Sequence, residues 1–410
     1  MPANAYVPSM WIEFNIALKF LRQGLTQTIL ILLGIGVGVS VIVFIITLVT
    51  GLQANLIERT LGTQAHVRVE PRPDVNLAAI SQNGETVHFV LEDARAQRLR
   101  SINNWQQVLA SLEALPEVTA ASPVVSGPAF ARRADAVKAI SLIGVIPQRY
   151  ERIIKISDSM ISGQFDVAPG NAVIGSKLAD DLGLKVGNKL RVEASGGRDA
   201  VLTITGIFDL GVRELDSRFV YLDLKQAQAL LNLYGAATVI DLTVTNIFDA
   251  SRVSEKIARV TGLKSESWMQ INSQLMNALQ SQSLSSNLIS FFVGVSVAFG
   301  IASVLAISVT QRTREIGILR AMGARRMQML RVFLIQGAIL GLFGSLAGSA
   351  TGWSMVWSFN RFGPKLFDIE PSVTIIPAAV TLATLTGILA AIAPAWRASR
   401  LDPVTAIRYV

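Results

Sequence analysis

The chain of 410 residues contains no cysteine and only two histidines, His66 and His88. The lack of cysteine excludes disulfides, zinc–thiolate sites, iron–sulfur clusters and a cysteine nucleophile. Two histidines in polar sequence argue against a multi-histidine metal site and against a Ser-His-Asp hydrolase. We therefore expect this chain to hold no metal ion and no catalytic residue.

Charged residues are also scarce, at 16% of the sequence, while hydrophobic residues make up 51%. Soluble proteins carry about 25% charged residues, so the composition argues against an ordinary soluble enzyme. Four acidic residues that would suit a catalytic pair have no nucleophile, base or metal ligand beside them, and we interpret them as a solvated helix face and a turn. They are Asp180, Asp181, Glu214 and Asp216.

Four uncharged, largely apolar segments account for the hydrophobic composition. They cover residues 23–57, 267–311, 332–360 and 371–396. Each exceeds the roughly 20 apolar residues that span a bilayer, and together they predict transmembrane helices. The predicted spans are 26–50, 286–310, 332–357 and 373–396. The apolar core of the first is too long for a cleaved signal peptide, so we expect this helix to be retained.

Two means of energy coupling are missing from the sequence. The predicted helix cores contain no ionisable residue of the kind that proton-driven carriers use. The phosphate-binding pattern GxxxxGK[ST] is also absent. Any nucleotide energy must therefore come from another polypeptide.

Basic residues are concentrated in three short segments that flank the predicted helices, namely 1–25, 311–331 and 397–410. Their excess over acidic residues equals the net charge of the whole chain, +8. The positive-inside rule places all three segments, including both termini, in the cytoplasm. Division of the basic residues among three membrane-flanking pieces argues against nucleic-acid binding.

This topology places residues 51–285 and the short loop 358–372 outside the cytoplasm. Strand-like runs at 64–70 and 239–245, a helix over 101–115 capped by Ser101 and a helix over 248–263 suggest β-α-β units. The run SESWMQI at 265–271 is predicted as a strand.

Between these units lies a β-rich insertion, 124–223, with one helix, NAVIGSKLADDLG, over 171–183. We expect two lobes: an α+β lobe near the membrane, 58–123 with 224–280, and the inserted β-rich lobe. The predicted fold is a four-helix membrane protein with a large two-lobed α+β periplasmic domain between helices one and two.

Glycines on two predicted helices recur at steps of three or four residues, which places them on one helix face and allows close helix packing. They are Gly34 and Gly38 on the first helix and Gly337, Gly341, Gly344 and Gly348 on the third. Packing within the chain and packing against a second subunit both remain open.

The loop between the second and third helices, VTQRTREIGILRAMGARRMQMLRVF, combines apolar residues at helical spacing with arginines. Ile316, Leu319 and Met322 lie on the apolar pattern, and Gly323 ends or bends the short helix. Such a basic amphipathic helix either lies on lipid headgroups or docks into a groove of a partner protein.

Four stretches carry a resemblance to a known family. The first is ALKFLRQ, with GLQANLIERTLGTQAHVRVEP after the first helix. The second is VIGSKLADDLGLKVGNKLRV with ITGIFDLGVRELDSRFVYLDL. The third is TQRTREIGILRAMGARRMQMLRVFLIQGAILGLFGSLAG, and the fourth is APAWRASRLDPVTAIRY. The chain resembles the permease subunits of MacB/FtsX-like ABC transporters, most of all the LolC/LolE lipoprotein-releasing permeases. Unlike MacB, it carries no fused ATPase domain.

The resemblance implies that two permeases, identical or paralogous, sit on a dimer of separate ATPase subunits that bind ATP and Mg. The chain itself would then be non-catalytic and hold no cofactor. The resemblance also implies a coupling helix that docks on the ATPase. Its residues would be Arg314, Glu315, Ile316, Leu319, Arg320, Met322 and Gly323.

In lipoprotein-releasing members, an acylated protein enters from the outer leaflet of the bacterial inner membrane and passes to a periplasmic carrier. Apolar residues of helices one and two are candidates for the wall of that cavity; the alternative is ordinary packing against lipid or other helices. They are Ile42, Phe44, Ile45, Leu48, Val49, Leu288, Phe291 and Phe292.

Two other functions remain open at this point. One is MacB-like efflux with an adaptor and an outer-membrane channel. The other is FtsX-like mechanotransmission, in which the ATPase moves the external domain to activate an envelope enzyme.

Overall fold

The computed structural model describes residues 9–72, 99–363, 369 and 374–401. His88 lies outside these residues. The chain divides into two compact units, Met1–Leu56 with Asn277–Val410, and Ile57–Met276. We call the first the helical unit and the second the sheet unit.

The helices and strands have the following bounds. The helices are α1 Ser9–Gln23, α2 Leu25–Thr63, α3 Trp105–Glu113, α4 Pro147–Tyr150, α5 Ser176–Leu182, α6 Arg213–Asp216, α7 Leu224–Leu231, α8 Ala250–Thr261, α9 Trp268–Ile271, α10 Ser273–Gln311, α11 Thr313–Ala321, α12 Arg326–Phe362 and α13 Ile375–Ser399. The strands are β1 Val67–Glu70, β2 Val118–Arg133, β3 Ala136–Val145, β4 Met160–Gly163, β5 Asn171–Gly175, β6 Lys189–Ala194, β7 Asp199–Phe208, β8 Phe219–Asp223, β9 Val239–Val244 and β10 Lys264–Ser267. Short 3-10 turns cover Ile156–Ser159 and Ile247–Asp249.

Within the described residues, four helices are long and apolar enough to cross a membrane: α2, α10, α12 and α13. Three of the predicted spans lie inside α2, α10 and α12, and α13 covers the fourth from Ile375 onward. α2 continues to Thr63 and α10 begins at Ser273, well beyond their predicted spans. Hydropathy marks only the apolar part of a helix, so it does not locate these polar extensions.

The interior of the helical unit is an apolar seam along α2. Ile31, Ile35, Val39 and Val43 recur every four residues, and all four are buried. They pack with residues of α10, α12 and α13, namely Ile301, Leu305, Leu340 and Ala391. A spacing of four residues keeps these side chains on one helix face, which explains why α2 buries a single stripe.

The sheet unit contains one mixed sheet in the order β10-β1-β9-β2-β3-β8-β5-β7-β4, with β6 pairing β2 and β7. The pairs β3–β8 and β5–β7 are parallel. The long strand β2 pairs with β9 through 118–124 and with β6 through 129–132, and its other edge pairs with β3 from Val124 onward. One strand therefore crosses the predicted lobe boundary at 123/124, and the sheet is continuous there.

Although the strands form one continuous sheet, the buried side chains of the sheet unit form separate clusters. One cluster, which contains Val67, Leu112, Ile240 and Trp268, is built from the two segments predicted as the lobe near the membrane. Another, around Leu142 and Leu202, is built from the insertion together with α7, whose residues fall just after the predicted end of the insertion.

Three predictions about local structure need correction. The predicted cap Ser101 is wrong: α3 begins at Trp105 after Asn104, because Ile102 pairs with Ala237 and keeps the chain extended. The run 265–271 is a strand only as far as Ser267, which caps α9 together with Gln270 and so ends the extended conformation. The helix predicted over 171–183 begins only at Ser176: residues Asn171–Gly175 form strand β5, and Ser176–Leu182 form α5.

Two other local predictions are confirmed. The strand expected over 239–245 is β9, and the helix expected over 248–263 is α8. α8 ends at Gly262, which adopts φ +68°, a left-handed conformation that suits glycine.

Candidate functional site

The loop that joins α10 to α12 forms the short helix α11 and a tight turn. Gly323 follows α11 with φ +102°, which a side-chain-bearing residue rarely adopts. The amide of Ala324 donates to the carbonyl of Leu319 at 3.1 Å, closing the turn. Glycine at this position thus lets the chain reverse from α11 into α12 within a few residues.

One side of α11 packs into the helical unit. Ile316 is fully buried, Gly317 is buried and Leu319 is half-buried. Ile316 shares a cluster with side chains from α1, α10, α12 and α13. These are Ala17, Phe20, Val309, Met329, Val332, Phe333, Ala395 and Ala398. α11 is therefore a fixed part of the helical unit, and Ile316 anchors it from inside.

Arg312, the residue between α10 and α11, connects this region to α1. Its guanidinium donates to the Gln23 side-chain oxygen and to the Phe20 carbonyl, each at 2.8 Å. It also lies 4.8 Å from the centre of the Phe20 ring. Cation–π and hydrogen-bond contacts together fix its planar group. Sequence reasoning did not select Arg312, because nothing in its spacing distinguishes it from its neighbours.

The opposite side of α11 is exposed. Arg314, Glu315 and Ile318 lie on it, and Met322 is 74% exposed just after the helix. Exposed methionine next to charged residues is typical of protein-binding surfaces. Ile318 was not among the predicted residues, because the sequence pattern assigns the apolar side to Ile316, Leu319 and Met322. We call Glu315, Ile318 and Met322 the outer surface of α11.

Arg320 turns away from that surface. Its guanidinium donates a hydrogen bond to the carbonyl of Leu401, just after α13. Of the predicted coupling-helix residues, the structure thus leaves Arg314, Glu315, Met322 and Gly323 exposed, whereas Ile316, Leu319 and Arg320 hold α11 in place.

The predicted packing glycines of α12 contact two different helices. A Cβ at Gly337 would lie 2.5 Å from the Gly387 carbonyl oxygen of α13, and one at Gly341 would lie 2.9 Å from the Ala383 carbonyl oxygen. Cβ atoms at Gly344 and Gly348 would meet Ile35 and Gly36 of α2, at 2.7 and 2.6 Å. Only glycine allows helices this close together.

The two predicted glycines of α2 differ. A Cβ at Gly38 would lie 2.5 Å from Val297 of α10, whereas nothing lies within 4 Å of such an atom at Gly34. Gly34 therefore makes no close helix contact among the described residues. The α2 glycine whose backbone lies close to α12 is Gly36, which the sequence analysis did not select.

The candidate cavity residues fall into two environments. Those of α2, namely Ile42, Phe44, Ile45, Leu48 and Val49, are half-buried. Phe44 packs edge-on against Phe359 of α12, with ring centres 6.5 Å apart. On α10, Leu288, Phe291 and Phe292 are exposed, and the two phenylalanine rings pack against each other at 5.5 Å.

The acidic residues show no catalytic arrangement in the described part of the sheet unit. Asp180 pairs with Lys177 at 3.5 Å, Asp181 pairs with Lys138 at 2.9 Å, and Glu214 is exposed. The hydrogen bond from Lys138 lowers the pKa of Asp181. Among the residues that the structure describes, no three His, Asp or Glu side chains group as metal ligands.

Asp216 differs from the other three acidic residues because it is buried, at the end of the one-turn helix α6. It accepts a hydrogen bond from the Leu210 amide at 2.9 Å, and burial raises its pKa. The amide of Gly211 lowers the pKa of the nearby Asp209. These bonds hold the segment between β7 and α6 in place, so Glu214 and Asp216 lie in the one-turn helix α6 and not in the turn that the sequence suggests.

Comparison with known proteins gives two family matches. Residues 28–260 match the MacB-like periplasmic core domain, and residues 287–403 match the FtsX-like permease C-terminal region. The chain is 25% identical over 341 residues to the lipoprotein-releasing system transmembrane protein LolC of Neisseria meningitidis, covering 75% of this chain and 82% of that protein.

Two further relatives differ in coverage. LolC of Xylella fastidiosa is 24% identical over 398 residues, 89% of each chain. The macrolide export ATP-binding/permease protein MacB of Psychrobacter arcticus is 36% identical over 120 residues, which cover 29% of this chain and 18% of MacB. The alignment with LolC thus extends along most of both chains, while the alignment with this MacB protein covers 120 residues.

Proposed function

The chain belongs to the ABC transporter permeases of the LolC, MacB and FtsX type, and from this we propose that it takes part in lipoprotein release. The chain would be a membrane subunit without catalytic residues of its own, and it would work with a separate ABC ATPase. The observation that carries the proposal is the similarity to LolC over 89% of both chains. The similarity to the whole MacB protein covers only 29% of this chain.

We infer that the sheet unit lies in the periplasm and that both termini lie in the cytoplasm of a bacterial cell. The basic segments that flank the helices support this orientation. The two largest buried clusters of the sheet unit support an arrangement in two lobes joined by the continuous strand β2, and a third cluster, around Phe208 and Tyr221, includes Val239 of β9.

The outer surface of α11 is the proposed contact with the ATPase, which binds ATP and Mg. Ile316 and Arg312 support this role because they fix α11 to helices α1, α10, α12 and α13. A rigidly held short helix transmits a push from a partner to the membrane helices, whereas a loose loop would absorb it. Glu315, Ile318 and Met322 would make the contact.

The cargo would enter beside the exposed aromatic pair of α10 and the half-buried outer part of α2. Removing an acyl chain from a bilayer costs about 0.8 kcal/mol per CH₂ group, so extraction needs both an apolar shelter and coupled energy. A second permease, identical or paralogous, would complete the shelter, and a soluble periplasmic carrier would receive the lipoprotein.

Gentle affinity purification from native membranes, followed by native mass spectrometry, tests the proposed function. We expect two permeases, two ATPase chains and an acylated protein in one complex. An adaptor with an outer-membrane channel and no acylated cargo would favour efflux instead. An envelope hydrolase without cargo would favour mechanotransmission, and the chain without any ATPase would contradict the proposal altogether.

The substitution Met322→Ala tests the contact with the ATPase separately. Truncating an exposed side chain that anchors an interface costs about 1–2 kcal/mol of binding, or roughly tenfold in affinity. We expect weaker ATPase binding and lower stimulated ATP hydrolysis, with unchanged thermal stability. Met355→Ala is the matched control, because Met355 is also exposed but lies near the other end of α12. Equal effects of the two substitutions would contradict the proposed contact.

A further inference from the structure

A small cavity lies inside the helical unit, where α1, α2, α10 and α12 meet. Phe20 of α1, Thr28 of α2, Ser308 of α10 and Gln336 of α12 are among the residues that line it. The volume of the cavity is about 20 Å³. Since one water molecule needs at least about 10–15 Å³, the cavity has room for a single water molecule and excludes lipid and larger solutes.

Gln336 brings a buried hydrogen-bond acceptor to this cavity. Its side chain is 2% exposed, and its amide nitrogen donates to the Ala17 carbonyl at 3.4 Å. A carbonyl oxygen only accepts hydrogen bonds, so the nitrogen must face Ala17, and this identifies the other end of the amide as the oxygen.

That oxygen, Oε1 of Gln336, has no hydrogen-bond partner among the residues that the structure describes. It lies within the third predicted span, where bulk water does not compensate a buried polar group. A buried acceptor without a donor destabilises the folded state. Oε1 therefore requires a donor that is small enough for the cavity.

The other polar groups of the cavity suit a molecule that both donates and accepts. The Thr28 hydroxyl donates to the Leu21 carbonyl at 2.9 Å, which leaves the hydroxyl oxygen able to accept. The Ser308 hydroxyl can donate or accept, and the Arg312 guanidinium only donates. A metal cation would be repelled by Arg312, and a chloride ion would place a second acceptor against Oε1. Water satisfies all of these groups.

We propose that this cavity binds one resident water molecule, which donates to Gln336 Oε1 and bonds to polar groups of α2 and α10. The water would link α12 to these two helices beside Arg312, the residue between α10 and α11. The proposal concerns the helical unit alone and does not depend on lipoprotein release.

A joint made through water differs from the glycine contacts that follow it along α12. At Gly337 and Gly341, a Cβ would lie within 3 Å of a carbonyl oxygen of α13, so backbone meets backbone directly. A water molecule can reorient and form its hydrogen bonds again. Helices joined through it can therefore shift slightly without leaving Gln336 Oε1 unpaired.

Radiolytic hydroxyl-radical labelling tests the site in the full chain, held in lipid nanodiscs. X-ray pulses generate radicals from water, and radicals formed from a bound water modify the side chains next to it. Leu340 and Phe20 line the cavity, although both are buried. Leu142 and Phe333 are the matched references, because they are fully buried and do not line this cavity. We expect several-fold more modification at Leu340 and Phe20 than at the references.

Two substitutions test the role of the Gln336 oxygen. Gln336→Leu replaces the acceptor with an apolar side chain, and modification of Leu340 should fall to the level of Leu142. Gln336→Asn keeps an amide and should keep the modification. Tyr234 in the sheet unit is exposed and should be modified equally in all chains, which normalises the radical dose. Unchanged protection of Leu142 and Phe333 would show that the variants are folded.

Mixing with ¹⁸O-labelled water before the pulse distinguishes a resident water from bulk solvent. A bound water exchanges more slowly than bulk water. Incorporation of ¹⁸O at Leu340 should therefore lag several-fold behind incorporation at Met322, which is 74% exposed.

Four results would overturn the proposal. Modification of Leu340 no greater than that of Leu142 would mean that the cavity is dry. Equal modification of Leu340 in the Gln336→Leu and unmodified chains would mean that Oε1 does not hold the water. Loss of modification in both Gln336 variants would assign control to side-chain shape and not to the amide. Incorporation of ¹⁸O at Leu340 as fast as at Met322 would mean that bulk solvent reaches the cavity.

Discussion

The contacts that stabilise the interior of the helical unit differ in kind from those that stabilise the interior of the sheet unit. In the helical unit, backbones approach one another directly: a Cβ at Gly348 would lie 2.6 Å from the Gly36 carbonyl oxygen. In the sheet unit, large side chains such as Trp268 and Tyr221 are fully buried, and Asp241 is paired with Arg68. The first unit therefore depends on small residues and the second on large or paired ones.

The difference follows from the two solvents. Lipid is as apolar as a leucine side chain, so burying apolar surface between membrane helices gains little, and close packing at small residues supplies the stability. In water, removal of apolar surface is the main driving force. A larger side chain at a packing glycine should therefore destabilise the helical unit most. Loss of one member of a buried ion pair should destabilise the sheet unit most.

Gly348→Leu should have the largest effect. The new side chain would meet the α2 backbone at Gly36 and the side chain of Val39, and backbone cannot move aside cheaply. We expect a loss of about 3 kcal/mol or more, seen as loss of folded protein after detergent extraction.

Gly34→Leu is the matched control, since no atom lies within 4 Å of its Cβ position. It should leave folding of the single chain unchanged. If both leucine variants fold equally well, close approach at glycine does not stabilise the helical unit. If Gly34→Leu folds but no longer dimerises, Gly34 serves contact with a second subunit.

Asp241→Ala should have the next largest effect, in the sheet unit. The carboxylate lies 3.1 Å from Arg68, and its side chain is 2% exposed. This pair also raises the pKa of Arg68. Removing the acid leaves a partly buried guanidinium without its partner, which costs about 2 kcal/mol because Arg68 remains partly accessible to water.

Asp199→Ala removes one member of an exposed ion pair and so serves as the control for Asp241→Ala. Arg191 and Asp199 also pair across strands, at a shorter distance of 2.7 Å, but both are exposed. Thermal unfolding of this variant should match that of the unmodified chain to within about 0.5 kcal/mol. Equal losses for Asp241→Ala and Asp199→Ala would mean that burial does not determine what a pair contributes.

The two units also differ in how far the sequence predicts them. Uncharged runs locate the membrane helices because each helix is an uninterrupted local segment. The same reasoning misses the extension of α2 to Thr63, which is helical but not apolar. In the sheet unit, periodicity indicates where strands lie but not which strands are neighbours, so it does not predict the parallel pairs β3–β8 and β5–β7.

The candidate site shows the same limit on a smaller scale. Spacing predicts that the segment around Ile316 is a helix with apolar and basic sides. It does not reveal which isoleucine faces inward, since that depends on Phe333, Ala395 and other residues distant in sequence. For the same reason, the contact between Arg312 and Phe20 has no local signal.

The smallest expected effect is a pH dependence that distinguishes the sheet unit from the helical unit. His66 lies next to β1, and its Nδ1 accepts a hydrogen bond from the Val244 amide at 3.1 Å. Burial lowers its pKa below the ordinary value of 6.5. The unfolded chain therefore takes up a proton at higher pH than the folded chain does, so the stability that depends on neutral His66 is complete above pH 6.5 and declines as the pH falls below it.

His66→Asn removes this titration and keeps an oxygen acceptor near the Val244 amide. Thermal unfolding of the full chain in detergent, measured between about pH 7.5 and about pH 5.5, should show a steeper loss of stability for the unmodified chain than for this variant. The difference should be smaller than the effect of Asp241→Ala, because His66 is only half-buried and can be rehydrated when it is charged. Parallel pH profiles for the two chains would show that His66 does not contribute to the pH dependence of stability. His66 would then not distinguish the sheet unit from the helical unit, whose predicted spans contain no ionisable residue.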